Sequence, residues 1–204
     1  MVEISAEDRQ RIADAIRAAE ARTSGEIVCV LARSSSDAPA LPILIAAIGA
    51  LILPWLLVAF TAMTVERILS LQVLLFVVLA AILLLPPVRA ALTPRHIRRA
   101  VAHRIASEQF LARGIARKQD RSGILIFVSL AERYARIIAD DGIAARVPQS
   151  QWQEAIDTLI THMRDGRLAE GFITAIEACG KQLAAHFPRT QGTRDELPDR
   201  IYVI

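Results

Sequence analysis

The sequence predicts an α/β fold: a small sheet covered by helices, with a two-helix transmembrane hairpin inserted after the first strand. Three observations predict it. Two long runs carry no charge, LPILIAAIGALILPWLLVAF between Asp37 and Glu66, and ILSLQVLLFVVLAAILLLPPV between Arg67 and Arg89. Each reaches the roughly 20 residues that a helix needs to cross a bilayer. Short apolar runs rich in β-branched residues, Glu26–Ala32, 124–128 and 134–139, read as strands. Segments with apolar residues three and four apart stand before, between and after them.

Taken in order, a first helix spans about residues 5–22. Ser5 and Asp8 form a capping box, and Ile12, Ala15, Ile16 and Ala19 give the buried face. Thr23-Ser24-Gly25 ends it, and Glu26–Ala32 follows as a strand buried on both faces. Ser34-Ser35-Ser36-Asp37 leads into the hairpin, with Pro54 expected to kink the first span and Pro86-Pro87 to close the second. Thr93-Pro94 opens a basic helix to about Lys118. Strands over 124–128 and 134–139 are joined by a tight turn at 130–133. A helix over 150–164 stops at Gly166, and one over 168–186 stops at Pro188. The closing Ile201-Tyr202-Val203-Ile204 packs back onto the domain. Residues 1–36 and 91–188 thus form a split cytoplasmic domain, 37–90 the hairpin (helices at about 41–62 and 68–88) and 189–204 a tail.

Composition narrows the function. The 204 residues carry a net charge of +3, and outside the hairpin roughly 140 remain, enough for one domain with a core. The basic excess gathers between Arg89 and Arg121, directly after the second span, which is a membrane-flank signature. Aromatic residues are 5% of the chain, too few for base stacking, so nucleic acid is not an expected partner. The start, MVEISAEDRQ, has no signal-peptide pattern. Arg89, Arg95, Arg98, Arg99 and Arg104 follow the second span, and the connecting loop holds Arg67 offset by Glu66. The positive-inside rule then puts both termini and the domain in the cytoplasm, as in a multi-pass protein of a bacterial-type inner membrane. Arg89, Arg95, Arg98 and Arg99 are expected to meet anionic headgroups, at about 1 kcal/mol each.

Chemistry has few places to sit. The tight turn makes the second and third strands antiparallel, so Asp120 and Ser122 come near Asp140 and Asp141. If the first strand is parallel to the second, Glu26 joins the same edge. Glu26, Asp120, Asp140 and Asp141 could then hold a hard cation, Ca²⁺ or Mg²⁺, with Gly25, Gly123 and Gly142 leaving room for a ligand. The same acids could instead cap helices and end strands, and Asp120 could pair with Lys118 or Arg121. Following the hairpin out of the first strand, this edge is expected to face away from the membrane. No nucleophile motif, phosphate loop or zinc signature occurs, so no catalytic residue is assigned and no cofactor is required. His96 and His103 are seven apart on one helix, too far for a clean metal pair. Cys29 and Cys179 have no partner spacing and read as buried thiols.

The order of these elements resembles the TPM-domain family. The resemblance rests on Ser122–Ser129 and Arg136–Ile143, on Gly25–Val30, Trp152, Asp165-Gly166, Gly171-Phe172 and His186-Phe187-Pro188, and covers roughly residues 3–33 and 95–188. It implies membrane-anchored or exported proteins. Accessory roles beside a photosystem and an acetylcholine receptor are attributed to some members, and calcium binding and weak acid phosphatase activity to others. The expected function is therefore non-catalytic: an accessory or stability factor for another membrane protein. The alternative is a divalent-metal-dependent phosphatase working from the acidic edge. The sequence leaves the oligomeric state open.

Overall fold

The computed structural model of the chain describes residues 4–34, 40–85, 88, 92, 94–117, 121–189 and 197–204. They divide into two units, Met1–Ser35 with Arg99–Ile204, and Ser36–Arg98.

The first unit is built on a four-stranded sheet. Its strands are β1 (Glu26–Ala32), β2 (Gly123–Ser129), β3 (Tyr134–Ala139) and β4 (Ile201–Val203). Their order is β3-β2-β1-β4. β1 and β2 are parallel, with Glu26 opposite Gly123 and Ala32 opposite Ser129. β2 and β3 are antiparallel, joined by the expected turn. The closing residues form a true strand: β4 pairs parallel to β1 over Cys29–Ile201 to Leu31–Val203. Ile204 extends the ladder by donating to the Leu31 carbonyl and accepting from the Arg33 amide, both at 2.9 Å.

All seven residues of β1 and all seven of β2 are buried, because helices cover both faces. Side chains alternate between two cores. On one face Ile27, Cys29, Leu31, Ile124, Ile126 and Val128 meet α1 (Ala6–Glu20), α6 (Gln153–Arg164) and α7 (Leu168–His186). On the other, Val28, Val30, Leu125 and Phe127 meet Ala102, Ala106 and Phe110 of α4 (Arg95–Ala112) and Ile115 of a 3₁₀ turn. Each large side chain sealed here, such as Phe127, Trp152 or Phe172, contributes about 1.5–3 kcal/mol of transfer free energy.

Helix ends follow the capping chemistry with two departures. Ser5 caps α1 by accepting from the Asp8 amide at 3.0 Å, while its hydroxyl donates to the Asp8 carboxylate at 2.9 Å. α4 ends at Ala112, short of the expected Lys118, because Gly114 takes φ +74° and breaks the helix. Asp140-Asp141-Gly142 is not a plain turn: Asp140 caps a one-turn helix, α5 (Asp141–Ala144).

The second unit contains α2 (Ala40–Phe60) and α3 (Val65–Leu83), both long and apolar enough to cross a membrane. Pro54 lies inside the continuous α2. The pair packs through small residues: Ala46 and Ala50 are buried, and a Cβ on Gly49 would stand 3.2 Å from Leu79. Polar side chains bond within their own helix, Thr61 to the Leu57 carbonyl at 2.5 Å and Ser70 to the Glu66 carbonyl at 2.8 Å. Nearly everything else faces outward. The Leu41–Phe60 span is 11% buried and Val65–Leu83 6%.

Candidate functional site: the acidic edge of the sheet

Buried polar groups gather at one edge of the sheet, where β1 and β2 begin and β3 ends. Glu20, Thr23, Ser24, Glu26, Ser122 and Asp140 are all buried there, and Ser129 is the other buried polar residue described. Parallel pairing places Glu26 beside Gly123, and the Glu26 amide donates to the Ser122 carbonyl at 3.2 Å. The antiparallel β2–β3 pair brings Asp140 to the same end, its amide donating to the Gly123 carbonyl at 2.9 Å. Glu26, Asp140 and Asp141 therefore sit on one edge. Asp120 lies outside the described residues.

The carboxylates differ in setting. Asp140 is 3% exposed; its Oδ1 accepts at 2.7 Å from the amide of Asp141, the first residue of α5. The Asp141 side chain is 93% exposed. Arg121 stands between them, 3.5 Å from Asp140 and 3.7 Å from Asp141. Asp140 Oδ2 is buried with no hydrogen-bond partner among the described residues. Among those residues no group of three or more His, Cys, Asp or Glu is arranged to hold a metal ion.

Glu20 was not singled out by sequence reasoning. Its carboxylate is 5% exposed and accepts the Ile27 amide at 2.7 Å, tying the end of α1 to the start of β1. The signal was present: Glu20 continues the Ile12, Ile16 stripe at helical spacing, an acid in a core position. A second tie comes from the end of α7. The Phe187 carbonyl accepts from the Thr23 hydroxyl at 2.5 Å and the Ser24 amide at 3.0 Å. Arg146 donates to the His186 carbonyl at 3.1 Å and lies over the Phe187 ring, and Arg189 donates to the Glu20 carbonyl at 3.3 Å.

Gly25 and Gly123 do not leave room for a ligand. A Cβ on Gly25 would stand 2.7 Å from Leu183, and one on Gly123 would stand 2.2 Å from Ile115. Both glycines make space for the protein's own core. The nearby hydroxyls are closed off too: Ser122 is fully buried and donates to the Ser24 carbonyl at 3.3 Å, while Ser129, at the far end of β2, bonds Glu132. Neither is poised as a nucleophile. Burial pushes the Cys179 thiol up to about 12. Burial raises Cys29 well above its usual value, helped by Cys179 and Glu20. Both thiols stay protonated and unreactive. The basic stretch offers less geometry. Arg89 lies outside the described residues, Arg95 is described as helix backbone alone, Arg98 is half-buried and Arg99 exposed. His103 is lowered, first by desolvation and then by the Arg136 charge.

The NMR structure of BA42 protein from the psychrophilic bacterium Bizionia argentinensis is similar, with a TM-score of 0.62 over 98% of this chain and 95% of that one, at 21% identity. At that identity the likeness is one of fold. No curated protein matches the chain. The family model described as the TPM domain matches residues 90–182, from the end of the second apolar run to near the end of α7. α1 and β1 precede that match, and their pairing with β2 and packing on α7 attach them to the same unit. Over residues 90–182 the chain carries a TPM domain.

Proposed function

We propose that the α2–α3 hairpin crosses a bilayer and that the sheet unit serves as a non-catalytic accessory or stability factor for another membrane protein. The observation that carries the membrane part is outward apolar surface: Trp55 is 80% exposed, Phe60 82%, Val65 71% and Val58 67%. A patch of that extent in water is a liability unless lipid or protein covers it. Arginine asymmetry then orients both termini toward the cytoplasm of a bacterial-type inner membrane, with Arg95, Arg98 and Arg99 near anionic headgroups. The accessory role is supported by the sealed Ser122, Ser129, Cys29 and Cys179.

Three experiments test this. The chain should remain with membranes after alkaline carbonate washing, and release into the wash would overturn insertion. A reporter active only outside the cytoplasm, fused after Ile204, should be silent; an active fusion would reverse the orientation. A defined membrane partner should co-purify in mild detergent in fixed ratio, and a lone chain under those conditions would count against the accessory role.

A second reading is favoured by one observation, the buried Asp140 Oδ2, which has no hydrogen-bond partner among the described residues, beside exposed Asp141. Glu26, Asp120, Asp140 and Asp141 would hold Ca²⁺ or Mg²⁺ through oxygen, and the bound ion would activate water for phosphate-ester hydrolysis. Magnesium-dependent release of phosphate from a simple aryl phosphate, lost in Asp140→Asn, is the expected result. Release that persists in Asp140→Asn would remove the edge from that chemistry.

A further inference from the structure

The face of the sheet covered by α4 carries a cation with an unserved donor. Along β3, Ala135 and Ile137 point into the first core, so Tyr134, Arg136 and Ile138 share the α4 side. Register places Arg136 opposite Phe127, which clusters with Ala102 and Ala106 of α4. Arg136 therefore stands beside the middle of that helix. It is half-buried, and its Nε is buried with no hydrogen-bond partner among the described residues. Its neighbour on α4 is another base. His103 is exposed next to buried Ala102, and its protonation is lowered first by desolvation and then by the Arg136 charge. Arg99, one turn earlier on the same flank of α4, is exposed. Among the described residues none of the three is paired with an acid. Like charges side by side repel, and a buried N–H without a partner is costly. An anion would answer both.

We propose that Arg136, His103 and Arg99 form a binding site for a phosphate group, taken as the dianion of a phosphate monoester. The Nε of Arg136 and one of its terminal nitrogens form an edge of the guanidinium fork, which matches two phosphate oxygens. His103 donates a ring N–H to a third, and Arg99 adds charge from the rim. The Tyr134 hydroxyl lies on the same side of β3, two residues or about 7 Å along the strand from Arg136. Three bases from two elements favour a dianion over a carboxylate or a phosphodiester, each of which carries a single charge. The site lies wholly within the sheet unit, on the face away from α1 and α7.

The test is calorimetric titration of inorganic phosphate into the full chain in uncharged detergent, alongside NMR of the histidine rings. His103→Gln assigns the His103 signal. Saturable binding should shift that signal and raise its titration midpoint, since the bound anion opposes the Arg136 charge. Arg136→Gln should weaken binding about tenfold, and so should His103→Gln, which changes an exposed residue and spares the fold. Arg104→Gln removes the same charge from an exposed residue paired with Glu108, and should bind as the parent does. Phosphatidic acid doped into the same micelles, with phosphatidylcholine as the control, separates the sources. Saturation by phosphatidic acid alone makes the ligand a lipid headgroup; saturation by inorganic phosphate as well shows that the phosphate group suffices. No shift of His103 with either ligand, in a parent that melts cooperatively, would overturn the site. Equal weakening by Arg104→Gln and Arg136→Gln would also overturn it, by reducing the attraction to diffuse charge.

Discussion

β1 and α2 stand close in sequence, and both are overwhelmingly apolar, yet they end in opposite settings. Every residue of β1 is buried, while α2 leaves Trp55, Leu51 and Phe60 mostly exposed. The difference is one of hydrogen bonding as much as of hydropathy. A strand satisfies its backbone only through neighbours, so β1 must lie between β2 and β4. A helix satisfies its backbone internally and can carry apolar side chains into lipid without an unpaired amide. Apolar sequence says that water will be excluded; the period and length of the run say whether protein or lipid excludes it.

The largest test of that contrast deletes an aromatic ring from each unit. Phe172 is fully buried on α7, and Phe172→Ala should cost about 3–5 kcal/mol in denaturant unfolding of the sheet unit. Phe60 is 82% exposed, and Phe60→Ala should change that unfolding by less than about 0.5 kcal/mol. Equal losses would mean that Phe60 is packed against protein.

Glu20 gives the next effect. Glu20→Ala removes the acceptor of the Ile27 amide and should cost about 1–3 kcal/mol, because a buried amide loses its partner. Glu20→Gln keeps an acceptor and should recover most of that loss. A similar loss in both would show that charge matters more than the hydrogen bond.

Much of this architecture is legible because local and long-range signals agree. Gly25 and the β-branched run fix β1, the turn at 130–133 fixes the β2–β3 pair, and Gly166 and Pro188 bracket α7. β4 was less legible as a strand: Ile201–Val203 is three residues after a polar stretch, and its ladder comes from β1 rather than from its own propensity. The end of α4 was readable in Gly114 but hidden by apolar spacing that runs past it to Ile115. At the candidate site the sequence brings Glu26 and Asp140 to one edge. It cannot show that Leu183 and Ile115 fill the space beside Gly25 and Gly123, since Leu183 comes from a distant helix and Ile115 is brought back onto Gly123 by the 3₁₀ turn that ends the basic helix early. Glu20 was overlooked because an acid on an otherwise apolar stripe is easily read as a rim residue.

Thiol chemistry sharpens the comparison at smaller scale. Cys29 and Cys179 are buried in the core, their protonation held above the ordinary value of 9.0. Maleimide should label them only as the chain unfolds, whereas a cysteine replacing exposed Thr61 should label at once. The sign of the linkage follows. Between pH 9 and about 12 the unfolded thiols lose their protons while folded Cys179 keeps its own. Stability should therefore be unaffected by the thiols below pH 9 and fall as pH rises from 9 toward 12. Cys179→Ala should flatten that fall, and an unchanged slope would assign it to other groups.

The smallest effect lies in the two connections. The link between α2 and α3, residues 61–64, contains no positive-φ residue, whereas the turn between β2 and β3 places Arg133 at φ +48°. A helical hairpin can reverse with ordinary dihedrals because each helix is already closed. A tight strand turn must match the twist of its ladder, and here it does so through one left-handed residue whose amide donates to the Leu130 carbonyl at 3.2 Å. Arg133→Gly should then stabilise the sheet unit by about 0.4–1 kcal/mol, the backbone relief less the extra freedom of the unfolded chain. The Arg133 side chain borders a cleft with Leu130, Met163 and Arg164, so its aliphatic stem offers some packing in return. A lower melting temperature for Arg133→Gly would show that this packing outweighs the strain, and the turn would then be held by the side chain of Arg133 rather than merely tolerating it.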